Sequence, residues 1–347
     1  MLRSLICHNG FIPCCAACLS LVVVNLAVGD EIHVHEGESI QAAIDGAMDG
    51  DEIVVHPATY HELINFSGKA ITLRSTDPAD PAVVVSTIID GDGAGTVVTC
   101  NSGEASNTVL SGFVITNGYA VPAGGGMHNS GSSPTITHCT FADNFAHDLG
   151  GGMCNRNASC PTVVNCTFIN NLCSDIGGGM YSSHSSSPTV ANCTFIGNSS
   201  NHDGGGMYNC GGSPTVTNCT FTGNSAGEYG GGICIGYLSS TTVADSVICA
   251  NTPDQIIGDY TDGGGNLIAQ YAPPPPPAAP TGACCLGEGC LDLSEAYCDE
   301  AGGVYMGDDT ACVGVECPDP CPEDINYDGK VNIDDIFAVL AAWGPCP

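Results

Sequence analysis

Two words, NCTF and GGGM, alternate through the middle of the chain, and the interval between their copies constrains the fold more than any other feature. The apolar positions that open each copy fall near Val109, Ile136, Val163, Val190, Val216 and Val243, a period of 26 to 27 residues. A fixed register follows in each: a small residue or cysteine, then Val114, Phe141, Phe168, Phe195, Phe221 or Ile248. Three residues later comes Asn117, Asn144, Asn171, Asn198, Asn224 or Asn251. Such a period marks one supersecondary unit that cannot bury its apolar face alone and must stack on its neighbours.

The unit is not helical. Its segments are short, β-branched and alternating, as in SPTVTNCTF, which suits strands of three to five residues. Glycine triplets at 124–126, 150–152, 177–179, 204–206 and 230–232 break helices and permit tight bends. Each copy is therefore expected to be a strand–turn–strand–turn coil in an all-β parallel β-helix, with equivalent residues ~4.8 Å apart. Stacked phenylalanines then fill the lumen, while asparagines at one bend satisfy each other's amides. Cys139, Cys166, Cys193 and Cys219 form a column of small inward fillers, whose parallel Cβ directions oppose disulfide geometry. Upstream, Ser39 is an expected N-cap for a short helix burying Ile40, Ala43, Ile44 and Ala47, a plug for the open end of the stack.

Five basic residues face 37 acidic ones, for a formal net charge of -32, which excludes electrostatic attraction to nucleic acid or an anionic membrane. Residues 1–29 read as an export signal, with Arg3, an apolar run from Leu19 to Val28, and Ala27 and Gly29 before the cut. A retained anchor and lipidation at Cys18 are the alternatives. No later segment approaches the ~20 apolar residues of a membrane span, so a secreted or cell-surface location is expected. Of the 23 cysteines, 19 remain after the cut, an odd number that leaves at least one unpaired.

The FxxN word (Phe141 to Asn144 and its copies) followed by GGGM or GGGI resembles the repeats of polymorphic outer-membrane proteins and related right-handed β-helix proteins. That resemblance covers about residues 108–251 and implies a right-handed parallel β-helix with surface exposure and adhesion. The stretch from Glu38 to Thr76 resembles the N-terminal caps of extracellular β-helix enzymes and binding proteins, which extends the helical domain to 30–272.

Asp148, Asp175, Asp203 and Glu228 all fall just before a glycine triplet, so stacking is expected to place them in one acidic column with His147 and His202 nearby. One rung is close to the ~5 to 5.5 Å between the carboxyls of a retaining glycosidase, but any acid repeated in such a stack acquires that spacing. Solvated turns, weak calcium binding and acid–base catalysis all remain open for this column. Basic residues in the repeat domain are confined to Lys69, Arg74 and Arg156, and Arg156 reads as a solvated turn residue. Aromatic content is only 6%, so Tyr181, Tyr208 and Tyr229 are the main rings available to a sugar near the triplets.

The proline run at 273–280 reads as a polyproline II spacer reaching roughly 25 Å at ~3.1 Å per residue. Residues 281–318 hold Cys284, Cys285, Cys290, Cys298, Cys312 and Cys317, read as a three-disulfide module with zinc as the alternative. The tail, 319–347, carries a calcium-loop pattern. Asp324, Asn326 and Asp328 occupy positions 1, 3 and 5, Gly329 the sharp turn, Lys330 the backbone-carbonyl position, Asn332 position 9 and Asp335 position 12. The bracketing Cys321 and Cys346 are expected to pair. Asp335, the following IFAVLAAWG and the flanking cysteines resemble a GC-type dockerin repeat, which implies Ca²⁺ as cofactor and a cohesin-like or cell-surface partner. The function expected for the whole chain is a non-enzymatic adhesion scaffold that binds a polymer or partner, with a tethered polysaccharide hydrolase or lyase and a structural spacer as the alternatives.

Overall fold

The computed structural model describes residues 29–269, together with three strands of the Cys-rich segment, Thr281–Leu286, Gly289–Ser294 and Val304–Tyr305. The export signal, the proline spacer, the calcium loop and the Cys321–Cys346 pairing lie outside the described residues. The three Cys-rich strands form a small antiparallel sheet of their own, with Thr281 opposite Ser294.

Residues 30–269 wind into a parallel β-helix. One coil illustrates the rest: Thr162–Val164, Thr167–Ile169, Leu172–Cys173 and Met180–Ser183 each join a different sheet. These sheets have ten, nine, five and eight strands respectively. The expected two strands per coil are thus three substantial strands and a two-residue one. Pairing is in register from coil to coil: Val163 with Val190, Phe168 with Phe195, Met180 with Met207. A one-coil step therefore repeats each inward side chain on top of its copy, and Val163, Cys166, Phe168 and Met180 are all buried. The rings of Phe141, Phe168, Phe195 and Phe221 stack with centroids 4.4 to 4.8 Å apart and planes within 6°. The glycine triplets serve close approach as much as bending. A Cβ on Gly178 would sit against the backbone oxygens of Ser199 and Gly205.

The asparagine ladder is internal and continuous from Asn144 to Asn251. In each step a side-chain amide donates to the next Oδ1, at 3.0, 2.9, 2.9 and 2.8 Å, and the same Oδ1 accepts a backbone N–H from the coil before. Asn117 is not part of it. Ile115, not Val114, pairs with Phe141, so the rung below Asn144 is Gly118, whose N–H donates to Asn144 Oδ1 at 2.9 Å. Asn117 turns outward at φ 54° and donates to Asp90.

The N-terminal plug is α1, Ile40–Gly46, capped by Ser39 Oγ accepting from Ala42 N–H at 3.1 Å, with Ile40 and Ile44 buried. Lys69 Nζ donates to the carbonyls of Ile44, Asp45 and Ala47 at 2.7 Å each, closing the C-terminal end of α1. Two elements were not expected from the sequence: an initial strand, Glu31–Val34, and a six-residue helix α2, Pro81–Ser86, capped by Asp80. Among the described residues, no helix is long and apolar enough to cross a membrane.

Candidate functional site: an acid–base ridge

Between the five-stranded and eight-stranded sheets, each regular coil makes a turn that ends in its glycine triplet. Backbone bonds fix the alignment of these turns. Ile176 N–H donates to Asp148 O at 3.2 Å, His202 N–H to Asp175 O at 2.9 Å, and Glu228 N–H to His202 O at 2.8 Å. The outer column therefore reads Asp148, Asp175, His202, Glu228. The expected four-acid column is interrupted: His202 takes the third rung, and Asp203 falls one residue further along, in the inner column with Leu149, Ile176 and Tyr229.

This offset has an electrostatic consequence. His202 Nδ1 lies 2.8 Å from Asp175 Oδ1, and His147 Nδ1 lies 2.6 Å from Asp148 Oδ1, so two outer carboxylates have imidazole partners. Asp203 has no such partner. It is half-buried, its Oδ1 is enclosed without a hydrogen bond, and burial followed by the charge of Glu228 pushes its carboxyl above the usual range. One ridge thus holds a carboxyl biased toward its protonated form next to carboxylates that are solvated or paired with histidine.

The inner column lies over the outer face of the eight-stranded sheet, where Leu149 and Ile176 pack with Cys154, Tyr181 and Tyr208. Tyr181 and Tyr208 stack with centroids 5.7 Å apart. Tyr181 is only 7% exposed and cannot offer its face to a ligand, whereas Tyr229 is 55% exposed at the end of the ridge. Burial raises the Tyr208 hydroxyl, as do neighbouring Cys210, Cys234 and Asp203.

The basic residues are placed differently from expectation. Lys69 is consumed by α1, and Arg74 is ion-paired with Glu52. Arg156 is not a solvated turn residue: it ends the strand Met153–Arg156, half-buried, with its Nε enclosed and unpartnered. A separate constellation missed in the sequence is His61, Asp90 and Asp92, whose donor atoms lie within 4.8 Å of one another at the surface. It belongs to the irregular coils, where no repeat marks such a group. The loop residues Asp324, Asn326, Asp328, Lys330, Asn332 and Asp335 lie outside the described residues.

A family model described as "Right handed beta helix region" matches residues 70–248, more than half of the chain. The chain belongs to the right-handed β-helix family. Among solved structures, this β-helix is similar to pectate lyase Pel9A at 14% identity and a TM-score of 0.47, over 70% of this chain and 67% of that one. It is also similar to a mannuronic acid specific polysaccharide family 6 lyase from human gut microbiota at 16% identity and a TM-score of 0.33, over 65% and 66%. No curated protein matches the β-helix.

Proposed function

We propose that this β-helix is an exported polysaccharide hydrolase, with Asp203 as general acid and Glu228 as the opposing carboxylate. The observation that carries this reading is the unequal treatment of adjacent acids. Burial and Glu228 favour the protonated form of Asp203, while Glu228 stands exposed in the outer column. Separated environments are what acid–base work on a glycosidic bond requires: one carboxyl to protonate the leaving oxygen, one to attack the anomeric carbon or activate water. Rung spacing alone would not support the assignment, since every repeated acid has it.

Chemistry and charge favour a neutral glycan over a polyuronate. A net charge of -32 repels anionic chains, and Lys69 and Arg74, two of the three Lys and Arg side chains of the repeat domain, are engaged elsewhere. Tyr229 supplies an exposed ring for a sugar face. The tail is proposed to bind Ca²⁺ and tether the enzyme to a cohesin-like partner.

Incubating the mature chain with neutral glucans, xylans and mannans, and separately with pectin and alginate, tests the reading by reducing ends and unsaturated products. Release of reducing ends from a neutral polymer, falling by about two orders of magnitude or more in Asp203→Asn, is expected. Unsaturated products would identify a lyase instead. Binding with no turnover on any polymer would identify an adhesion scaffold.

A further inference from the structure

Far from the ridge in sequence, the first two coils bring three histidines together. His33 points outward from the strand Glu31–Val34, His35 follows that strand, and His56 follows its neighbour Glu52–Val55. The strands pair in register, Val34 with Val55, which sets His35 beside His56. Their rings stack with centroids 4.0 Å apart, and His33 Nδ1 faces His56 Nε2 across 3.0 Å. Beneath them the backbone is pinned by the buried Tyr60, whose hydroxyl donates to His56 O at 2.8 Å and Val34 O at 3.2 Å.

We propose that His33 and His56, flanked by His35, bind a divalent transition-metal ion of the nickel, copper and zinc class. Three observations support this. First, two imidazole nitrogens 3.0 Å apart have the separation of adjacent ligands on one ion at ~2.0 to 2.1 Å from each, and the rings, His33 exposed and His56 half-buried, can swing off the line that joins them to meet it. Second, the other nitrogen of His33, Nε2, lies 2.8 Å from Glu31 Oε1. A ligating histidine usually makes this contact, because a carboxylate on the far N–H fixes the tautomer that leaves the facing lone pair free. Third, the His35 ring stacks on His56 with centroids 4.0 Å apart, which keeps the His56 ring beside His33. Imidazole-rich sets select nickel, copper or zinc over calcium, which takes oxygen ligands.

The test is a Ni²⁺ titration of the mature chain by calorimetry, in saturating Ca²⁺ so that oxygen sites are already occupied. Wild type should bind about one ion more per chain than His56→Ala or His33→Ala, a difference that cancels any metal held by the cysteines. Glu31→Gln should retain the site but weaken it by about 10- to 100-fold. Glu31 is exposed and its replacement leaves the core intact, so this variant reads the site even if a histidine variant folds poorly. Equal stoichiometry and affinity in wild type and all three variants would overturn the proposal. So would loss of the ion in His61→Ala with retention in His56→Ala, which would place it at the His61, Asp90 and Asp92 group.

Discussion

The side-chain amide of Asn171 donates to Asn198 Oδ1 across 2.9 Å, from one coil to the next, in a site closed to solvent. Asn198 in turn donates to Phe168 O and Asn224 Oδ1. An alanine at this position strands the Asn171 N–H, the Asn171 amide and the Phe168 carbonyl, so Asn198→Ala should cost about 3 kcal/mol or more. Asn198→Asp should cost at least as much, because a carboxylate only accepts and would face two oxygens. Asn117→Ala, off the ladder and outward-facing, should cost only about 1 kcal/mol, from the left-handed φ of 54° and the lost bond to Asp90. Urea unfolding midpoints of the three variants check the ranking.

The middle glycine of each triplet should be the least replaceable position. Gly178→Ala places a methyl group against two backbone oxygens of the neighbouring coil, and neither oxygen can move without breaking the stack. Failure to accumulate as soluble protein is expected. Gly131→Ala is the comparison: a Cβ there meets only Asn157 O at 3.8 Å, and the cost is the left-handed φ of 64°, about 1 to 2 kcal/mol.

Glu104 joins the irregular coils to the regular ones and carries its own pH dependence. It is 2% exposed, yet its carboxylate accepts from Gly68 N–H, Ser102 N–H and Ser132 Oγ at 2.7 to 2.8 Å. Burial alone would raise it, and these hydrogen bonds outweigh burial and hold it below the usual range. The native state therefore binds this proton less readily than the unfolded chain. Its stabilisation should be complete above the unfolded value near 4.5 and lost as pH falls toward the folded value. Glu104→Gln should flatten the acid limb of a stability–pH curve and lower stability at pH 7 by about 2 kcal/mol.

Much of this architecture was legible because repetition records the pleat directly. The phenylalanine, cysteine and asparagine columns follow from residues spaced by whole coils, and the Ser39 cap from its place before the apolar spacing of Ile40 and Ile44. Two kinds of information were not legible. The run Phe113, Val114, Ile115 is apolar throughout, so either of its last two residues could pair with Phe141, and the choice of Ile115 displaced Asn117 from the ladder. At the ridge, proximity to a glycine triplet does not give the rung. Asp203 and Asp175 differ by one position within their turns, and that difference separates a half-buried carboxyl from one paired to His202. A second asparagine column, with Asn129 donating to Asn155 at 2.9 Å, lies two residues beyond the triplet's methionine and is hidden in the sequence because Ser182 interrupts it.

Thiol reactivity should follow depth. Cys139, Cys166, Cys193 and Cys219 are free thiols in the lumen, and burial pushes Cys166 well above its ordinary value. Cys154, buried under the ridge, is pushed up to about 12. Cys160 is exposed and Cys210 half-buried. Brief alkylation of native protein at pH 8, mapped by peptide mass spectrometry, should, among the cysteines of residues 30–269, modify Cys160 first and Cys210 next, with the lumen column labelled only after unfolding. Early labelling of Cys166 would contradict the packing.

Asp203 allows stability and activity to be read from the same substitution. Its carboxyl is raised in the folded state, so between the ordinary value of 3.8 and the folded value the native protein holds a proton that the unfolded chain releases. Stability therefore falls as pH rises through that window, and above it the penalty is complete. An asparagine side chain cannot ionise, so Asp203→Asn should raise the urea midpoint at pH 7 and leave it unchanged at pH 3. If Asp203 is also the general acid, the stabilised variant should be the inactive one, the expected conflict when a destabilised group does the chemistry. Hydrolysis by the wild type should decline on the alkaline side as the proton leaves Asp203. A variant that gains stability at pH 7 with its turnover intact would keep the electrostatic account of Asp203 and remove the residue from the reaction.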